Sequence, residues 1–444
     1  MTLRSRNRLF YALLAAFIVL GAGVILYVNG WRLDLTTFTA SKVGGIFVQS
    51  VPRNAAITLD KKPISNNSGF FENGTLVNDL FPKTYDLQLS SPGYKPWTEK
   101  VQVAPSLVAD ERNAVLVPDS STRAATGTIA RFRLFDGQFI TTPVKDTATG
   151  TLSLDLARIG SGDVLGWTND FRNILSFNAA NGDYSLFRVS ATARTDVTTA
   201  LAKAGVNAKK ISDIMIDPYD GTNLLVVSPA AISLFDPVSL AFSRVKSAAP
   251  GTIFTLAAPS QFFFAWTTWN ETANTSTLVI YDKFLGNIQS SAGSIHGKTA
   301  KLRWVANNTL ALLEDDGSLY LYDTTNGTLA KIADDVKDFS FTADGSAAAA
   351  LEENSLEVFF FTQDKEYYRF NLPDVRLAQS VDWYGDGMHL FVHYPDAVKF
   401  LDLKDGALEN FTMVAKTPFA SYDEKTNSLY YVGGNGIEKI VFPK

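Results

Sequence analysis

Seven short apolar segments in the C-terminal part of the chain end on comparable residues at a nearly regular interval. They stop at Arg188, Asp236, Asp282, Asp323, Phe360, Asp402 and Phe442, spaced about 37 to 48 residues apart, the length of one four-stranded propeller blade. A single unit reads Leu302 to Val305, then Thr309 to Leu313, then a turn at Asp315-Asp316-Gly317, then Leu319 to Asp323. The turn between its first two strands recurs as Asp220-Gly221, Asn307-Asn308, Asp344-Gly345 and Asp386-Gly387, the residue types that tight hairpins select. So many strands avoid open edges only by closing into a ring. A more divergent copy at 130–156 makes seven or eight blades, with eight the expectation. The last unit ends at Phe442 without a fourth strand, so one is expected from Thr122 to Thr128, locking the ring.

The other strong constraint is the uninterrupted apolar run from Leu9 to Val28, about the 20 residues one helix needs to cross a bilayer. Arg4, Arg6 and Arg8 precede it, so the short head is expected in the cytoplasm and the rest outside. Tyr27 and Trp31 stand where an outer aromatic belt belongs. A cleaved signal is the alternative, with a small-residue site at Gly21 and Gly23, but the apolar run continues past it to Val28.

Composition narrows the function classes. The chain has 444 residues and no cysteine, so an exported chain of this kind is held by its cores rather than by disulfides. A net charge of -5, with no clustered basic run after the apolar segment, argues against nucleic acid. With 31 Phe, 16 Tyr and only four Met, the residues favour sheet cores over helical bundles.

Between anchor and repeats, residues 43–118 carry the alternation of a small all-β sandwich, as in Ile46-Phe47-Val48 and Tyr85 to Leu89, with a Pro-Gly turn at Ser91 to Tyr94. The stretch VQSVPRNAAITLD, with Pro52-Arg53-Asn54-Ala55 as its tetrapeptide, resembles the hallmark of PEGA domains. Pro82, Tyr85, Gly93, Tyr94 and Trp97 resemble the second half of that family, while Lys61 and Lys83 stand where it usually has Gly. The resemblance implies a small β domain of microbial surface and envelope proteins with a structural or interaction role. The Asp-Gly turn repeats around Asp344 and Asp386 resemble those of WD40-like and TolB-type propellers.

No nucleophile elbow, phosphate loop, zinc motif or dinucleotide fingerprint occurs in the sequence. His389 and His393 share a strand and a face, but two histidines without a further ligand are expected to be blade residues at its surface. The aspartates at Asp236, Asp282, Asp323 and Asp402 recur at equivalent positions, which points to turn chemistry in the blades. No catalytic, cofactor or metal residues are therefore expected. Two irregular segments remain. Ser190 to Lys210 reads as an insertion with a short helix from Val197 to Ala204, capped by Asp196 and stopped by Gly205. Trp266 to Leu278 reads as a long polar loop between the second and third strands of a blade, and Trp266, Trp269 and Asn270 are its candidate ligand contacts. Trp167, Trp304, Trp383 and Tyr384 are expected to pack between blades.

The expected organisation is a cytoplasmic tail at 1–8, a transmembrane helix at 9–28, a spacer at 29–42, a PEGA-like β domain at 43–118, a linker at 119–128 and a β-propeller at 129–444. This mainly β chain is expected to be a membrane-anchored, single-pass, extracytoplasmic binding or scaffold protein whose propeller meets a cell-wall glycan, peptide or envelope partner. A polysaccharide-acting glycosidase or lyase, and a TolB-like envelope assembly factor, are the alternatives.

Overall fold

The computed structural model describes residues 3–34, 39–68, 73–127, 129–135, 138–143, 163–169, 172–188, 193–221, 223–306, 308–361, 367–372, 377–403 and 411–443. The first element is a helix over Leu3–Val28, whose apolar window Leu9–Val28 is unburied by the rest of the chain and long enough to cross a membrane. The segment read as a spacer is itself structured: Trp31–Asp34 pairs antiparallel with Thr39–Lys42.

The small domain is a sandwich of two sheets. Lys62–Ile64, Ala56–Leu59, Thr84–Ser90 and Trp97–Gln102 form one, and Thr75–Leu80, Gly44–Val51 and Val108–Val115 the other. Thr84–Ser90 buries every second residue, so Tyr85, Leu87 and Leu89 meet Ile46, Val48, Trp97 and Leu116 in one core. The hairpin turn at Asp60-Lys61 has both residues left-handed, at φ 47° and 65°, the type I′ geometry that Gly favours. Lys83, at the other departure from the family pattern, pairs with Asp60 at 2.6 Å.

Beyond residue 119 the chain builds seven four-stranded antiparallel sheets among the described residues, plus the hairpin of Ile129–Phe135 and Gln138–Pro143. Their first strands are Asp163–Trp167, Asp213–Ile216, Thr252–Pro259, Thr299–Ala306, Asp338–Phe341, Ser380–Trp383 and Ala420–Asp423. The strand expected near 150–156 and the turn residue Asn307 lie outside the described residues. Seven complete sheets and one hairpin fit the seven-or-eight-blade propeller read from the repeat. The core lies between blades: Leu225, Val227 and Ile232 of one sheet pack on Phe254, Phe264 and Trp266 of the next. Ala347–Leu351 is a wholly buried strand despite alanine's weak strand preference, because small side chains admit the neighbouring sheets closely.

The segment read as a linker carries the ring-closing strand. Thr122–Thr126 pairs antiparallel with Gly436–Val441 as the outer strand of the last blade. Gly436 (φ 144°) is required there, since a Cβ would stand 1.9 Å from the Ala125 carbonyl oxygen. The supposed insertion is likewise partly regular. Ala193–Asp196 is the outer strand of its blade, followed by the helix Val197–Lys203, whose N-cap Asp196 accepts from the Thr199 amide at 2.9 Å.

The small domain docks on the last two blades. Val115 and Val117 join Tyr384, Phe391, Phe400, Val414 and Phe442 in one buried cluster. Lys95 Nζ donates to the Met413 and Val414 carbonyls of the outer strand Phe411–Ala415.

Candidate functional site

In an antiparallel meander, turns from first to second strand open on one face of the ring and turns from second to third on the other. On the first face, three consecutive inter-strand regions enclose a cavity of about 490 Å³. The Asp344 and Asp386 turns line it, Arg303 and Asp382 come from first strands, and Trp383, Tyr384, Tyr422 and Phe341 supply aromatic surface. Glu424 also lines it.

The carboxylates are held by local chemistry. Asp344 accepts from the Ser346 amide (3.0 Å) and hydroxyl (2.7 Å), which hold its carboxyl at about 2, well below the usual range. Asp386 accepts from the Met388 amide at 2.9 Å and lies 2.7 Å from His389 Nδ1. For Asp382, desolvation pushes the pKa up, but His393, whose Nε2 is 3.0 Å away, together with Arg303 and Lys301, holds it below the usual carboxylate value. Burial pushes the Tyr422 phenol up. Tyr422 OH donates to Asn427 Oδ1 at 2.7 Å, and Tyr384 OH donates to the Pro443 carbonyl at 3.2 Å, so both rings are fixed in place. Among the described lining residues, four carboxylates face one guanidinium.

The histidines are not at a blade surface. His389 is 1% exposed, stacked on Phe400 at 4.9 Å, and His393 is 7% exposed. Burial works against a charge on His389, but Asp386, Asp402 and the Asn113 carbonyl of the small domain more than offset it and raise its pKa. Among the described residues no cluster of three or more metal-ligating side chains occurs. Three of the four recurring aspartates serve turns: Asp236 accepts from the Val238 amide, Asp282 from the Phe284 and Leu285 amides, and Asp323 from the Thr325 amide, each at 2.8 Å, whereas Asp402 lies 3.7 Å from His389 Nε2.

The expected loop at Trp266 to Leu278 is corrected. Phe263–Asn270 and Thr275–Asp282 are paired strands, with a short turn between them. Trp266 is 1% exposed, between Phe254 and Tyr281, which is blade packing. Trp269 is half-buried opposite Ile253 and Ser276, and Asn270 Oδ1 accepts from the Ala273 amide at 3.0 Å. Trp269 and Asn270 stand at the second-to-third turn, on the face opposite the cavity, while Trp266 is in the core between blades. The inter-blade role read for Trp304 is visible: its Nε1 donates to the Ala258 carbonyl of the preceding blade at 2.8 Å, and it stacks on Phe263. The cavity itself was missed by sequence reasoning, although two of its walls are the Asp-Gly turns already singled out.

Residues 43–112 match the PEGA domain family. No curated protein matches the chain by sequence. Among solved structures, an oligogalacturonate lyase in complex with manganese is similar at 12% identity and TM-score 0.42, covering 63% of this chain and 88% of its own. The β-propeller domain of Cps50 (Swd1) from Myceliophteria thermophila is similar at 12% identity and TM-score 0.42, covering 62% and 96%. Hsv2 from Kluyvelomyces marxianus is similar at 11% identity and TM-score 0.40, covering 61% and 92%. The chain thus joins an apolar N-terminal helix, a PEGA domain and a β-propeller.

Proposed function

We propose that this is a membrane-anchored binding protein whose propeller cavity receives a basic peptide segment of an envelope partner. The helix Leu9–Val28 holds it in the membrane with Arg4, Arg6 and Arg8 on the cytoplasmic side, and the PEGA domain and propeller stand outside. One observation carries the ligand class: among the described lining residues Asp344, Asp382, Asp386 and Glu424 outnumber the one basic residue, Arg303, beside the rings of Tyr384, Tyr422 and Trp383. Carboxylates attract an ammonium or guanidinium, and aromatic faces add cation–π attraction. The volume suits a side chain or a few residues of peptide. Because Asp344 titrates at about 2, its charge persists at any physiological pH.

The test titrates the full chain in nanodiscs with a lysine-rich peptide, an acidic peptide and neutral glycan oligomers. The basic peptide is expected to bind, to weaken steeply with added salt, and to lose about tenfold or more in affinity in the Asp344→Asn, Glu424→Gln double variant. Unchanged affinity in that variant would remove the cavity from the function. Salt-independent glycan binding would favour the glycan partner, and cleavage products would establish the enzymatic alternative.

A further inference from the structure

The end of the helix and the edge of the PEGA domain share a seam of exposed apolar side chains. The Val43 amide donates to the Gly30 carbonyl at 2.9 Å, two residues past the helix end at Val28. The Ser106 amide donates to the Val43 carbonyl and the Gly45 amide to the Leu107 carbonyl, both at 3.0 Å, which fixes the loop 105–108 beside the helix exit. Leu107 is 63% exposed, Val108 53% and Leu33 57%. Leu76 is also exposed, and its Cδ1 lies 3.7 Å from where a Cβ on Gly45 would stand, next to Val108, the strand partner of Gly45. Trp31 stands on the hairpin between helix and domain.

A second set of contacts holds this seam against the helix. The Arg32 guanidinium lies 3.8 Å from the centre of the Tyr27 ring, donates to the Tyr27 carbonyl at 2.7 Å, and pairs with Asp79 of the PEGA domain at 2.8 Å. One side chain thus bridges the last turn of the helix and the domain.

We propose that Leu107, Val108, Leu76 and Leu33, with Trp31, form a second membrane contact that seats the PEGA domain in the interfacial layer of the bilayer its own helix crosses. The proposal rests on the anchor reading of Leu9–Val28. Lipid is the occupant because the patch continues the helix end. At strand spacings of about 5 Å and residue rises of about 3.3 Å it lies roughly 10 Å from the exit, within the layer that interfacial side chains occupy. Trp31 adds an amphipathic ring at that level. A domain touching the bilayer at two places has a fixed tilt. The propeller, docked through Lys95, Val115 and Val117, inherits that tilt.

The absence of cysteine from the sequence makes a single introduced thiol a unique labelling site. The full chain, reconstituted in nanodiscs of phosphatidylethanolamine and phosphatidylglycerol, carries a nitroxide at Phe17→Cys, Leu107→Cys, Val108→Cys or Val238→Cys. The last is an exposed propeller position. Power saturation with oxygen and with a water-soluble nickel chelate reads the depth of each label. Position 17 is expected deep in lipid, position 107 or 108 at the interface with oxygen access exceeding nickel access, and position 238 in water. If 107 and 108 both read like 238 while 17 reads as lipid, the second contact is overturned and the anchor stands. If 17 itself reads as water, the anchor fails and the proposal falls with it.

Discussion

Glu314 sits at the end of a buried strand with 1% exposure, its Oε1 accepting from the Thr299 hydroxyl at 3.0 Å and its Oε2 without a hydrogen-bond partner. Burial, with Asp315 and Asp316 adding like charge, pushes its pKa from 4.5 to about 7. The folded chain therefore binds more protons than the unfolded chain between those values, and stability falls as pH rises through that window. Glu314→Gln keeps an acceptor for Thr299 and removes the charge. Its unfolding free energy is expected to exceed that of the unsubstituted protein by roughly 1–3 kcal/mol at pH 8. Below pH 4.5 the gain should vanish. Denaturant melts at both pH values measure this, and an equal change at both would reject the titration of Glu314 as its cause. The residue scale is also where the sequence misled. Trp266 and Trp269 sit among Thr, Asn and Glu, which read as a polar loop. Those polar residues instead belong to an eight-residue strand pair and its turn, and some are buried beside Trp266: Thr267 and Ser276 are both 0% exposed, with the Thr267 hydroxyl 2.9 Å from that of Thr255.

The ring-closing strand is the element on which the propeller depends. Its pairing was legible because the final repeat unit, up to Phe442, shows three strands where a blade has four, and a ring can take that outer strand from the segment ahead of its first unit. Register was not legible, because it rests on Gly436 and a bulge between Arg123 and Ala125. Gly436→Ala would drive a methyl group into the Ala125 carbonyl, displacing the outer strand from Gly436–Val441. A loss of about 2–4 kcal/mol is expected, in the range of severe backbone and packing defects. Hydrogen exchange should rise first in 122–126 and 436–441. Uniform exchange across all blades would mean that closure is not local to this pair. The blade repeats were readable because the third strands end at a nearly regular interval and Asp-Gly or Asn turns recur between first and second strands. The cavity was not, because its residues come from four sheets and meet only once the ring curves.

At the scale of the whole molecule, the PEGA domain is part of the propeller's outer wall rather than a separate bead. The sandwich core was legible from period-2 alternation, but docking was not, since Val115 and Val117 read as the end of a strand. Lys95 is half-buried in that junction, and burial lowers its pKa. Lys95→Met keeps the stem and leaves the Met413 and Val414 carbonyls without their donor. A cost of about 1–3 kcal/mol at the junction is expected. The readout is faster hydrogen exchange in 95–117 and 411–415 with blade interiors unchanged. No change in 95–117 would show that the apolar cluster alone holds the two domains.

The strand Thr122–Thr126 finds its partner 317 residues further along the chain, at Lys439. Biosynthesis therefore delivers the two halves of this joint far apart in time. While the intervening blades emerge, the early strand is an unpaired edge next to the PEGA domain, the kind of edge that recruits foreign strands. Closure is a pairing of very high sequence separation, like the contacts of Lys95 with Met413 and Val414, so it is expected to be slow. A ring of this design needs protection of that edge until its last blade arrives, which makes closure, rather than the stability of the finished ring, the step most exposed to chaperones and proteases.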